Sequence, residues 1–506
     1  MTKRYAILAF LVVALALFFG LHYANIGVNQ GGTAHGQQGA NLAMAEGFVD
    51  NGLDFWHPQT KALNYRNGDF NLYKTSATGI TAAHFPIHAY IPAAIHSYTN
   101  WQLSKVMQVY NILWGFVGLF FLYLLTLRIT NHIGKSLFVV VFVGTAPIFA
   151  FYQSNFLPEI PAFAAVLAGI YFMYRWRSEH KERFAWFGMG WLLFACLPSP
   201  DLSFYLGAGI YLIYWNMPKK KNFYFQPVVI ALIFFVGLLI TEAIFNSLRS
   251  DYGSQFPGWL QDWVYDQSVW NSIFGSWKLH YFTTFQSVFI AIILILVMAF
   301  LVKVKKLKSI RLNAYLISIF AILPLVRAIT SPYQSINSDV FFLKFLLVPC
   351  IFGLIVLVDQ FKLSVLERKP KLSGIGFILL LFIMIGEGNW TQNVRKELNR
   401  TSAGSNLAYT FRGGNELLLK HGVNQGDPLS VVVPNNWGIG QEVLGHLHHK
   451  GYIRETPNGE ELLAKIPKGH YVVCHLDEMP FLYDHFRTNV KELGNNGNIV
   501  LLKALD

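Results

Sequence analysis

The sequence is short of charge. Asp, Glu, Lys and Arg make up only 13% of its 506 residues, where a soluble domain carries about a quarter. Hydrophobic residues reach 53% and the mean hydropathy is +0.37, so the chain calls for lipid as its solvent. Cysteine is nearly absent as well. Cys196 and Cys350 fall in apolar runs and Cys474 in a later, more polar stretch, which excludes a disulfide framework or a cysteine metal cluster. A Gly-rich phosphate loop is also missing, so neither a nucleotide nor any other cofactor is implied.

What is there is a series of long apolar runs. A bilayer core of about 30 Å is crossed by about 20 helical residues. Runs of this kind lie near 5–22, 107–129, 136–152, 159–176, 184–198, 202–216, 224–246, 285–303, 313–330, 341–360 and 374–389, which predicts about eleven transmembrane helices. The first follows basic residues as a signal peptide would, but no small-x-small cleavage site follows Phe19, so it reads as a retained anchor.

The net charge of +12 suggests nucleic acid until its distribution is considered. Half of the 40 Lys and Arg sit in short loops at Lys3-Arg4, Arg128 with Lys135, Arg175 to Arg183, Lys219 to Lys221, Lys303 to Arg311, and Lys362 to Lys371. These are alternate loops, and the positive-inside rule places all of them in the cytoplasm. Topology therefore accounts for the charge, and no nucleic-acid partner is implied. The expected location is a bacterial inner membrane, N-terminus inside, with 23–100, 247–283 and everything beyond 390 outside.

The external segments differ in character. In 23–100, Gly39 to Gly52 and Phe85 to His96 show helical spacing of apolar residues, the pattern of two juxtamembrane helices. Segment 247–283 carries Trp259, Trp263, Tyr265, Trp270, Trp277 and Tyr281, suited to a membrane-interface belt or to stacking on sugars. From about 404 helices are expected at Leu407 to His421, Gln441 to Lys450 and Glu460 to Lys465. Strands are expected at Leu429 to Val433, Tyr471 to Cys474 and Asn498 to Leu502. That alternation predicts a small, mostly parallel, three-layer sheet. The fold class is thus a mainly α membrane protein with a small α/β domain. Its parts are a polytopic domain, 1–390, and an external domain, 391–506.

Four stretches carry a resemblance to a known family. They are Gln38 to Phe48 with Asn51-Gly52-Leu53-Asp54-Phe55-Trp56-His57-Pro58, then His84-Phe85-Pro86-Ile87-His88-Ala89-Tyr90, then Tyr152 to Pro161, and finally Gly445 to Tyr452. In order and spacing the chain resembles the GT-C superfamily of integral-membrane glycosyltransferases, the protein O-mannosyltransferases and lipid A aminoarabinose transferases among them. The resemblance covers nearly the whole chain. It implies inverting transfer of a sugar from a polyprenyl-phosphate carrier to a lipid, glycan or protein acceptor outside the membrane. It also implies an acidic base in the first external loop and basic groups for the lipid phosphate.

The chain departs from that pattern. The string His35 to Asn41 has no carboxylate near Ala40, where the family's first-loop Asp is expected. His84 precedes the Phe-Pro, Leu197-Pro198-Ser199-Pro200 replaces a Lys-Pro motif, and Ser338-Asp339-Val340-Phe341 replaces a late His-Asp motif. Candidate proton acceptors are therefore Glu159, an acid at the outer end of a span, with His35 and His84. Arg327 and Lys344, each near the outer end of a span, are candidates for the donor phosphate, against snorkelling of both side chains to the interface. Gln38, Asp54, His88 and Asp339 are candidates to line the substrate cavity, and Asp54 and Asp69 are the nearest first-loop acids. His446 and His449 share a helix face but lack a third ligand, so no metal is assigned.

Two readings stay open, a transferase and a catalytically degenerate relative serving a membrane-protein partner as accessory subunit. A transporter fits less well, because internal repeats and mid-membrane charges are not evident. The orientation is tested by a reporter fused after Asp506, which should be active only outside the cytoplasm. Cytoplasmic activity would overturn the orientation.

Overall fold

The computed structural model describes residues 3–27, 35–66, 73–75, 79–81, 85–215, 225–252, 281–290, 320, 340, 342–360, 370–401, 411, 413–424, 426–434, 439–456, 466–480, 482 and 489–505. In chain order the helices are α1 (Lys3–Leu17), α2 (His35–Asp50), α3 (Ile87–Thr99), α4 (Leu103–Thr130), α5 (Ile133–Gly144), α6 (Pro147–Gln153), α7 (Glu159–Glu179), α8 (Glu182–Cys196), α9 (Ser203–Trp215), α10 (Phe225–Tyr252), α11 (Leu347–Gln360), α12 (Pro370–Thr401), α13 (Gly414–Lys420) and α14 (Ile439–Leu447). The strands are β1 (Asn64–Arg66), β2 (Tyr73–Thr75), β3 (Leu429–Pro434), β4 (Tyr452–Thr456), β5 (Tyr471–His475), β6 (Val490–Asn495) and β7 (Ile499–Ala504). The chain divides into two compact units. One comprises Met1–Asn29, Gln108–Thr241 and Trp259–Arg395, the other Gln30–Met107, Glu242–Gly258 and Lys396–Asp506.

Among the described residues, four helices are long and apolar enough to cross a membrane: Arg4–Asn25, Leu103–Thr130, Phe342–Asp359 and Gly374–Lys396. The sequence predicts one span over 136–152. The structure instead bends by 69° between α5 and α6. Pro147 opens α6 and holds Ala146 extended, at ψ 125°, because proline disfavours the helical conformation for the residue before it. The Phe142 carbonyl at this break finds a side-chain donor: Gln286 Nε2 donates to it at 2.7 Å, and also to the Thr145 hydroxyl at 3.0 Å. The predicted runs at 159–176, 184–198, 202–216 and 224–246 form α7, α8, α9 and α10. Those at 285–303 and 313–330, and the tryptophans from Trp259 to Trp277, fall largely outside the described residues.

The second unit is built on a five-stranded sheet of order β4-β3-β5-β7-β6. The expectation of a mostly parallel sheet needs correction. β3 pairs in parallel with β4 and β5, whereas β7 runs antiparallel to both β5 and β6. The tight turn at Gly497, φ +90°, folds β6 back on β7 as a hairpin. A two-residue-scale turn suits antiparallel strands, while parallel ones need a long crossover. β6 is largely exposed and lacks apolar alternation, and so went unseen in the sequence. Apolar side chains cover both faces of the sheet. Val431, Val433, Val473 and Leu501 pack with Leu418, Val443, Leu444 and Leu447 on one face, and Val432, Val472, Cys474 and Val500 with Ile466 and Leu482 on the other.

Gln30–Met107 belongs to this same unit. Leu63 N donates to Gly451 O at 2.9 Å, Gly451 N to Lys61 O at 3.0 Å, and Ala62 is buried in the sheet's core. α14 packs along α2. Gly47 in α2 lets the chain at Gln59 cross that helix closely, since a Cβ there would stand 2.0 Å from Gln59 O. Elsewhere in a helix, Ala in place of Gly gains about 0.5–1 kcal/mol. G47A should reverse that sign and lower the melting temperature of the purified protein, while G386A, in open space on α12, should not. A G47A melting temperature at or above wild type would mean that Gln59 does not cross α2.

Candidate functional site

The site is assembled where three helices of the first unit break. Glu159 opens α7, with Pro158 before it and Pro161 in the first turn. Proline is tolerated there because the first-turn N–H groups have no intrahelical partner, and an acid is favoured by the helix dipole. The segment that delivers Glu159 is gripped by α4. Asn111 Nδ2 donates to Asn155 O at 2.7 Å and to Leu157 O at 3.0 Å, and Gln153 Nε2 donates to Ile112 O at 3.0 Å. Gly115 leaves room for Gln153, whose Cδ would lie 2.4 Å from a Cβ at that position. Phe151, in the preceding α6, lies under the guanidinium of Arg395, 3.9 Å from the ring centroid, and Arg395 Nη2 meets Tyr152 Oη at 3.4 Å.

Asp201 belongs to a 3₁₀ turn, Pro200–Leu202, between α8 and α9. Lys344 lies in a π turn, Phe342–Leu346, that leads into α11. Such turns free backbone carbonyls, and π-bulges are frequent at functional sites. Here Tyr205 Oη donates to Lys344 O at 2.8 Å.

The three charges meet. Lys344 Nζ stands 3.3 Å from Glu159 Oε1 and 3.4 Å from Asp201 Oδ2. Side-chain exposure rises from 10% at Glu159 through 15% at Lys344 to 32% at Asp201, so Asp201 marks the open side. Lys344 therefore does not snorkel out alone; it is held between two carboxylates. An ammonium has three N–H donors, which leaves one beyond these two contacts. Glu159 Oε2 is buried and has no hydrogen-bond partner among the described residues. With two acids and one base, the cluster carries one net negative charge when all three are ionised.

Sequence reasoning named Glu159 and Lys344 separately and in different roles, and missed their contact. It missed Asp201 altogether, although a carboxylate directly after Pro-Ser-Pro between two apolar runs is a readable signal. Arg395, 1% exposed, was also missed. His84, Arg327, Asp339 and Asp69 lie outside the described residues, as does the side chain of His35, the first residue of α2.

The remaining candidates belong to the second unit. Gln38 is buried in α2. His88 is buried in α3, and burial pulls its imidazole down to about 3, so it stays neutral near pH 7. Asp54 is no buried base. It lies half-exposed on a turn, accepts from Trp56 N at 3.0 Å and contacts His57 Nδ1 at 2.7 Å. The hydrogen bond with His57 holds its carboxyl below the usual range. Asp54 and Asp69 are not the nearest acids to Ala40: Glu46 lies closer, on the same helix, 3.5 Å from Lys61 Nζ. Burial raises its affinity for a proton, against the pull of Lys61. His449 places Nδ1 2.6 Å from Lys450 O and Nε2 2.7 Å from Asn424 O, so both nitrogens face main-chain carbonyls.

No protein-family model matches the chain, and no curated protein matches it in sequence. Among solved structures it is similar to ArnT from Cupriavidus metallidurans bound to undecaprenyl phosphate, at 11% identity and a TM-score of 0.58, over 99% of this chain and 98% of that one. It is also similar to the Archaeoglobus fulgidus oligosaccharyltransferase, at 11% identity and a TM-score of 0.47, over 98% and 72% of the two chains. A third similarity is to the mycobacterial arabinofuranosyltransferase AftD, at 9% identity and a TM-score of 0.49, over 100% of this chain and 40% of that one. The likeness to ArnT, at a TM-score of 0.58 over nearly the whole of both chains, is one of fold.

The ion cluster makes a prediction about stability. Removing one partner of a buried ion pair typically costs about 3–5 kcal/mol, because the other charge is stranded. K344M strands two carboxylates and should melt lowest of the set in detergent. E159Q/K344M should recover part of the loss. Equal melting of K344M and E159Q/K344M would show that the two residues are not coupled.

Proposed function

We propose that the chain is a membrane glycosyltransferase that moves a sugar from a polyprenyl-phosphate carrier to an acceptor hydroxyl or amine on the external side of the inner membrane. The observation that carries this reading is the Glu159–Lys344–Asp201 cluster, set at helix breaks in a fold shared with an enzyme solved bound to undecaprenyl phosphate.

The chemistry needs three things. The acceptor's oxygen or nitrogen attacks the anomeric carbon, the bond from that carbon to the phosphate oxygen breaks, and the acceptor's proton must leave. Lys344 supplies its third N–H to the phosphate, where negative charge grows as the bond breaks. One carboxylate balances Lys344 and the other receives the proton. Glu159 is the better base, because its second oxygen has no hydrogen-bond partner among the described residues. Asp201, at the open side, orients the ammonium. Arg327 is the natural second cation for the phosphate, since one lysine does not neutralise a phosphate beside two acids.

The second reading, an accessory subunit, is favoured by one feature of the sequence: no carboxylate occurs from His35 to Asn41. The two are separated by complementing a deletion strain and measuring its envelope glycans by mass spectrometry. E159Q should cut transfer by about 10²-fold or more, the scale of a lost general base, while undecaprenyl phosphate binding to the purified protein stays near wild type. K344M should weaken that binding. If the deletion changes the glycans but E159Q, D201N and K344M all restore them, the cluster takes no part in chemistry and the accessory reading replaces this one.

A further inference from the structure

A second charged cluster lies in the first unit, where α4 and α7 end and α8 begins. α7 stops at His180, which takes a left-handed conformation at φ +52° and turns the chain into α8 within two residues. This brings Arg128 from α4, Arg175 from the end of α7 and Lys181 from the turn around one acid, Glu179. Arg128 Nη2 and Arg175 Nε both donate to Glu179 Oε1, the latter at 3.0 Å, and Lys181 Nζ stands 3.4 Å from Oε2. One carboxylate neutralises one of three cations. Arg177 and Arg183 add two more positive charges and Glu182 one negative, so the group carries a clear positive excess.

The cations are also held in place. The Arg175 guanidinium lies 3.8 Å from the centroid of the Phe184 ring, and that of Arg183 lies 5.0 Å from it. Preorganisation of this kind reduces the entropy lost when an anion binds. Immediately beyond, on the first turns of α8, Trp186 and Phe187 are 39% and 54% exposed. Phe187 packs on Phe172, with ring centroids 5.5 Å apart. A positive cluster and an exposed aromatic face are therefore continuous along one helix that the sequence reads as a span.

We propose that Arg175, Lys181 and Arg183 form a binding site for the headgroup of an anionic phospholipid, whose acyl chains lie along Trp186 and Phe187. The site is separate from the proposed transfer centre and does not depend on it. Retention of basic loops on one side of a membrane explains the charge alone. It does not explain guanidinium groups stacked on a ring and converging on an oversubscribed acid beside exposed apolar side chains.

The test is local labelling. The full-length protein is reconstituted in phosphatidylcholine nanodiscs doped with phosphatidylglycerol or phosphatidylcholine carrying a photoreactive group in the acyl chain. Labelling of residues 184–190 is then read by mass spectrometry. Phosphatidylglycerol should label this segment about tenfold more than phosphatidylcholine, and K181Q/R183Q, with about fivefold lost per cation, should bring the two lipids to near-equal labelling. Both side chains are exposed, so the variant should fold, and an unchanged melting temperature checks this. Equal labelling by the two lipids in the wild type, or an undiminished preference in K181Q/R183Q, would overturn the proposal. So would abolition of the preference by millimolar glycerol phosphate, since the site would then take the phosphate without its lipid.

Discussion

Inside a bilayer, a peptide group released from its helix has no water to bond. Each break in the membrane-spanning unit must therefore be satisfied by a side chain, and these side chains determine where the breaks can stand. Gln286 serves the bend after α5, Asn111 the segment before α7, and Tyr205 the π turn that carries Lys344. Glu387, on α12, accepts from Phe285 N at 2.9 Å, while Gln286 and Thr283 cap each other's main-chain N–H groups in the same turn. The polar residues buried within the apolar unit are thus largely the supports of its irregular backbone.

That arrangement explains why the charges meet at breaks. A regular span presents its side chains to lipid or to its neighbours and hides its peptide groups. A break exposes main-chain polarity, admits proline and turn residues, and gives an acid or a lysine a polar setting. Glu159, Asp201 and Lys344 each occupy such a place. The cost of drawing an ammonium and two carboxylates together at low exposure is met by their mutual attraction. Among the described residues Lys344 engages only one oxygen of Glu159, and the other, Oε2, is buried without a partner.

The other unit follows a different logic. It has its own apolar core around a sheet, and the first external loop enters that core through Ala62 and the main-chain bonds at Gly451. Glycines in α2 and before β4 allow the approach, for a Cβ at Gly451 would stand 2.8 Å from Leu429 O. A loop so anchored is part of the α/β unit rather than a flexible connection, although the hydropathy pattern shows only that it is polar.

The sequence by itself determined the apolar runs, the two helices within 23–100 and the central strands β3, β5 and β7. Each of these follows from a local pattern of apolar residues. It also marked Glu159 and Lys344 as charges out of place beside apolar runs. The tertiary structure alone decided that these two meet, that Asp201 joins them, that the run over 136–152 bends, and that β7 runs antiparallel between β5 and β6. The reason is one of range. Hydrophobic periodicity is set within one helix or strand, whereas an ion cluster, a strand order or the neighbour of a helix break depends on which distant segments pack together.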